Sequence, residues 1–126
     1  MARSRAVTDW PRLNEKLWER SGGACERCGK FLAPGAGERH HRRLRSGGGR
    51  DELANLLLLC SRCHTTNSPT SVHSNVAEAK KYGHIVTRYA DPSPVPVLHA
   101  KHGWIVLDNA GGFTPSMFEV ADEEAA

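Results

Sequence analysis

With 126 residues, 39% apolar content and a formal net charge of +3, the chain suits one compact domain with a modest core, and no apolar run reaches membrane-spanning length. The charge is unevenly spread: residues 1–64 hold 13 Lys/Arg against 7 Asp/Glu, a net of +6, and the remainder holds 4 against 7, a net of −3. A basic half points to a polyanionic partner and excludes neither DNA nor RNA.

Residues 1–9 read as a disordered N-terminus, polar and carrying Arg3 and Arg5 with no apolar stretch behind. No secretory leader and a cytoplasmic location, where thiols stay reduced, are therefore expected. Trp10, Leu13, Leu17 and Trp18 share one helical face and Pro11 suits a first turn, so residues 11–20 read as an amphipathic helix stopped by Gly22-Gly23. Cys25-Glu-Arg-Cys28-Gly29 is a tight two-thiol knuckle, followed by a Pro/Gly-rich connector over residues 33–37. Residues 38–43 read as a short strand and residues 44–50 as a basic loop with Gly47-Gly48-Gly49 at its middle.

Leu56-Leu57-Leu58-Leu59 reads as a second, buried strand ending at Cys60. Cys60-Ser-Arg-Cys63-His64 forms the second knuckle, with Ser61 placed to cap a helix that carries His64 and that Pro69 keeps short. A further helix is expected over residues 76–82, with Asn75 and Glu78 spaced as a capping box and Gly83 as its stop. After it come a strand over residues 85–89, the proline-rich linker 91–96, and strands 95–98 and 104–107 as a hairpin. Residues 10–90 are expected to form the core, residues 91–118 a hairpin extension of the same domain, and residues 119–126 an acidic tail.

Two Cys-x-x-Cys pairs can form two disulfides or one tetrahedral thiolate site; in a reducing compartment the spacing of Cys25, Cys28, Cys60 and Cys63 favours structural zinc. Such a site closes its coordination sphere and supports the fold without catalysing. Inside this frame lie His40-His41, Asn55 and His64. Adjacent strand residues point to opposite faces, so one histidine of the pair can face the helix bearing His64 while the other faces a substrate.

The segments Glu38-Arg-His40-His41-Arg, Glu52-Leu-Ala-Asn55-Leu and Leu59-Cys-x-x-Cys-His64, interleaved with the cysteine pairs, resemble the HNH nuclease family, closely over residues 25–64. Adding Ser74-Asn-x-Ala-Glu-Ala, the segment from Tyr89 and the Gly103-Trp104 hairpin makes most of the chain similar to small phage-type HNH proteins. The resemblance implies an α+β fold, a zinc-stabilised ββα-metal (His-Me finger) core with an N-terminal helix and a C-terminal β-hairpin. It implies His40 and His64 as ligands of a catalytic divalent ion (Mn, Ni, Co, Zn or Mg) and His41 as general base. Asn55 pins the long loop and thereby holds His41. Many relatives carry another histidine where Ser68 stands here; His73 looks like its displaced counterpart after a small insertion, and it is either a further ligand of that ion or an exposed histidine near a helix start, with water then completing the sphere.

The implied activity is metal-dependent hydrolysis of DNA phosphodiester bonds, with Arg42, Arg43, Arg45 and Arg50 contacting phosphate. Family analogy adds a phage setting beside terminases or other packaging proteins, and no membrane. Two other readings use the same residues: a non-catalytic zinc-ribbon DNA-binding module, and a structural packaging protein. Trp10, Trp18 and Trp104 read as core aromatics, and His84, His99 and His102 have no assigned role.

Overall fold

The structure is a computed structural model and describes residues 7–120. Helix α1 (Trp10–Ser21) starts at Asp9, whose carboxylate accepts the backbone N–H of Arg12, and Pro11 occupies its first turn. It ends where Gly22 turns left-handed at φ 68°, a conformation that glycine adopts without strain. Strands β1 (Glu38–His41) and β2 (Leu56–Leu59) pair antiparallel, with Glu38 opposite Leu59 and His41 opposite Leu56. The single turn α2 (Ser61–His64) follows β2 directly, and α3 (Val76–Lys81) lies further along. A second antiparallel sheet joins β3 (Val97–His99), β4 (Gly103–Leu107) and β5 (Phe113–Pro115) in that order.

Strand β2 is buried on both faces, which explains why its four leucines do not alternate with polar residues. Leu56 and Leu58 pack with Leu13 and Leu17 of α1. Leu57 and Leu59 face the other way, into a cluster with Cys25, Cys60, Cys63, Val72, Val97, Ile105 and Leu107. The C-terminal sheet therefore contributes to the same core as the cysteines. Burying each such leucine stabilises the fold by about 2 kcal/mol.

Two buried arginines fasten these layers. Arg20 of α1 makes a paired contact with Glu26 (2.9 and 3.0 Å) and donates to the carbonyls of Leu53 and Leu56. His99 Nε2 donates to the same carboxylate at 2.8 Å, and the backbone N–H of Leu58 completes it. Burial alone would raise the Glu26 carboxyl, but Arg20 and His99 hold it down at about 2. Arg42 has no exposed surface and no carboxylate partner; its guanidinium donates to the carbonyls of Gly83, Ala54, Pro92, Val95 and Pro96.

Several expectations need correction. Arg42 is not available to phosphate: it follows His40 by two residues, so strand alternation turns it inward, where carbonyls replace its water. Residues 85–89 are not a strand, because beyond the bond from Val86 N–H to the Arg42 carbonyl the chain turns at Thr87–Ala90. Ser61 lies inside α2 and Cys60 is the N-cap, without a side-chain bond. Asn75 is the N-cap of α3 but makes no capping bond, since its amide donates to the carbonyls of Pro69 and Ser71 instead. Residues 8 and 9 are engaged rather than disordered, Thr8 with Asp51 and Asp9 with α1. Strand β5, which extends the hairpin to three strands, was not anticipated. The remaining disordered-terminus and acidic-tail expectations, at residues 1–6 and 121–126, lie outside the described residues.

Candidate metal centre and catalytic face

Cys25 and Cys28 sit on the turn after α1, and Cys60 and Cys63 flank the start of α2, so the packing of α1 against β2 brings the pairs together. The four sulfurs lie within 4.8 Å of one another, and none is in a disulfide. Cys28 Sγ and Cys60 Sγ are 3.8 Å apart. Thiolates about 2.3 Å from a common zinc ion at tetrahedral angles stand about 3.8 Å apart, so the donor set fits a structural metal. A hydrogen bond from the Cys63 thiol, with backbone contacts, holds the Cys25 thiol down at about 4 despite burial, whereas the same bond raises the Cys63 thiol and burial raises that of Cys28.

The second cluster begins one residue later. His40, His64 and His73 each offer a ring nitrogen within 4.8 Å of the others, although they come from β1, α2 and the loop before α3. Each ring is fixed by what lies behind it. His40 Nε2 donates to the His84 carbonyl at 2.7 Å, so its proton is on that nitrogen and Nδ1 carries the lone pair. That Nδ1 is buried and has no hydrogen-bond partner. His64 Nδ1 donates to Glu38 Oε1 at 2.7 Å, leaving Nε2 free. Burial, reinforced by the neighbouring histidines, keeps His40 neutral, with its pKa down at about 3; burial and His64 lower His73 as well. Three imidazoles with ring nitrogens close together, one of them an orphaned buried nitrogen, suit a divalent cation.

His41 points to the other side of β1. Its Nε2 donates to Asp51 Oδ1 at 2.7 Å, and Asp51 Oδ2 accepts from the Thr8 hydroxyl at 2.7 Å. Partial burial works against the Asp51 carboxylate, but these two hydrogen bonds outweigh it and lower its pKa. Asn55 closes the basic loop at both ends: Oδ1 accepts from Arg43 N–H (2.7 Å), and Nδ2 donates to the carbonyls of Arg43 (3.1 Å) and Arg50 (2.9 Å). Gly49 sits against the Arg43 carbonyl so closely that any Cβ would collide with it. Arg45 and Arg50 are exposed on this loop, whereas Arg43 is half-buried with Nε bonded to the Gly47 carbonyl.

The structure thus gathers His40, His64 and His73 on one side, sets His41 apart from them, and removes Arg42 from the surface. Sequence reasoning passed over Glu38 and Asp51. Glu38 had a signal, since it precedes His40 by two residues and shares its face of the strand. Asp51 had none, because its meeting with His41 depends on how the glycine loop folds back.

No helix among the described residues is long and apolar enough to cross a membrane. No curated protein and no solved structure matches the chain. The model of one family does match, over a little more than a third of the 126 residues and across both cysteine pairs, His40, His41, Asn55 and His64. Residues 25–70 match the model described as HNH endonuclease.

Proposed function

We propose that this domain is a metal-dependent DNA endonuclease in which β1, β2 and α2 form the ββα-metal unit. Cys25, Cys28, Cys60 and Cys63 hold a structural zinc ion. His40, His64 and His73 hold the catalytic ion. His41 is the general base that takes a proton from the attacking water. The observation that carries this reading is the buried, unpartnered Nδ1 of His40 beside His64 and His73, with His41 on the opposite face of the same strand. An ion held there would stabilise negative charge on the scissile phosphate and on the departing 3′ oxygen. Imidazole donors favour Mn, Ni, Co or Zn over Mg.

In this reading Asn55 is a positioning residue, because all its side-chain hydrogen bonds go to backbone groups at the two ends of the loop. Arg45 and Arg50 carry phosphate contact, with Arg43 in support. The phage setting and the terminase or packaging partners rest on family analogy alone and form no part of the proposal.

Plasmid cleavage with each divalent ion and with chelator tests the activity, and the adjacent histidines test the assignment. His40→Ala should weaken binding of the second ion, measured by calorimetry, and excess ion should restore part of the cleavage. His41→Ala should keep both metal sites and DNA affinity yet slow single-turnover cleavage by roughly 10²–10⁴-fold, the usual share of a general base. DNA binding without cleavage under every ion would favour the non-catalytic module. If His41→Ala loses the ion while His40→Ala keeps it, the two roles are reversed.

A further inference from the structure

Asp51 stands outside every metal-ligating cluster among the described residues, and its side chain makes two short contacts that have nothing to do with the packing of the core. One oxygen accepts a hydrogen bond from His41 Nε2–H; the other accepts one from the Thr8 hydroxyl. Both bonds are 2.7 Å, and the His41 and Asp51 side chains are 14% and 18% exposed, so the pair is shielded from water without being sealed. A carboxylate only accepts, so the proton between Asp51 and His41 belongs to Nε2 and the lone pair of His41 lies on Nδ1. No other hydrogen bond to the His41 ring is formed among the described residues.

We propose that Asp51, held by Thr8, is the positioning residue of the nuclease centre, fixing His41 as the Nε2–H tautomer with Nδ1 turned to the attacking water; this rests on the assignment of His41 as base. A free imidazole rotates about χ1 and χ2 and exchanges between two tautomers, and only one ring pose presents the correct nitrogen to the substrate. A carboxylate on the far nitrogen removes both freedoms and stabilises the imidazolium formed when the water proton arrives. The proton moves from water to Nδ1, the Nε2 proton stays between His41 and Asp51, and Asp51 remains ionised throughout. Thr8 restrains the carboxylate, so the segment preceding α1 takes part in the site although the matched family segment begins 17 residues later.

The test is a double-mutant cycle with a spectroscopic arm, run on the full chain with both metal sites loaded. Asp51→Ala should lower single-turnover cleavage by at least tenfold while leaving the zinc content and the affinity of the histidine cluster for its ion unchanged. Asp51 acts only through His41, so its loss cannot exceed that of His41→Ala, and adding Asp51→Ala to His41→Ala should cost nothing further. Asp51→Asn, which keeps the side-chain shape, is the second variant should the alanine form fail to fold, and is expected to behave in the same sense.

In ¹⁵N spectra of histidine-labelled protein, His41 should show the Nε2–H tautomer in the parent and a tautomer mixture in Asp51→Ala. Additive losses in the cycle, a wild-type rate in Asp51→Ala, or an unchanged His41 spectrum would overturn the inference. A parent protein that cuts no DNA would instead overturn the nuclease reading, and the ¹⁵N arm would still decide whether Asp51 sets the His41 tautomer.

Discussion

The four cysteines and the three histidines are interleaved in sequence, His64 following Cys63 directly, yet they build unlike pockets. The sulfur set has four donors, three of them buried, and its backing is the hydrophobic core itself. The nitrogen set has three donors, two of them half-exposed, and its backing is polar: a carbonyl behind His40 and a carboxylate behind His64. A tetrahedral set of four leaves no room for substrate, whereas three donors leave positions open. The closed cluster also fixes the turn from which His64 projects. In the proposed reading the closed set serves stability and the open set chemistry, and each assignment can be broken separately.

The largest effect should come from opening the closed cluster. Cys63→Ser removes a buried donor of the proposed zinc site, and structural zinc in small domains contributes apparent folding free energies of about 10–16 kcal/mol, so the variant should be unfolded by circular dichroism at 25 °C. Stripping the wild-type protein with a strong chelator should have the same result. The double variant His40→Ala/His64→Ala should stay folded with one zinc per chain. A folded, zinc-free Cys63→Ser protein would dissolve the comparison.

Arg42 sharpens it from the interior. Its guanidinium satisfies five carbonyls from three segments, including that of Ala54 beside Asn55 and those of residues 92–96. Burial, with the charge of Arg20 nearby, pushes its pKa down to about 9, which still leaves it charged at neutral pH. Removing one side of such an arrangement strands buried polar groups, at a cost of roughly 3–5 kcal/mol. Arg42→Ala should lower the midpoint of denaturant unfolding accordingly, and DNA affinity per folded molecule should not change. Unaltered stability with weaker DNA binding would return Arg42 to the surface role first expected of it.

What the sequence disclosed follows from how local each signal is. The cysteine spacing, the α1 stripe and the unbroken leucine run of β2 are short-range patterns, and all three reappear in the structure. The strand over residues 85–89 failed because its apolar residues, Ile85 and Val86, are buried by a loop rather than by a ladder. Arg42 failed differently: the alternation that separates His40 from His41 also places Arg42 with His40, but the run of basic residues outweighed it. The partners Asp51, His84 and His99 could not be seen, since each meets its contact through a fold-back of 10 to 73 residues.

The smallest expected effect belongs to the open face, at Arg45. Its side chain is exposed on the loop that Asn55 ties down, and its charge is among those that lower the Asp51 carboxyl, after the hydrogen bonds of His41 and Thr8. It therefore lies close to the proposed base without supporting the fold. A flexible exposed cation gains from a phosphate mainly by releasing a counterion, an effect independent of base sequence. Arg45→Ala should weaken binding only a few-fold at low salt, about equally for unrelated DNA sequences, and reduce the slope of log K against log salt by about 1. Thermal unfolding should be unchanged, in contrast to Arg42→Ala. A loss confined to one sequence, with the salt slope intact, would mean that Arg45 reads a base edge, and the loop would then carry specificity as well as charge.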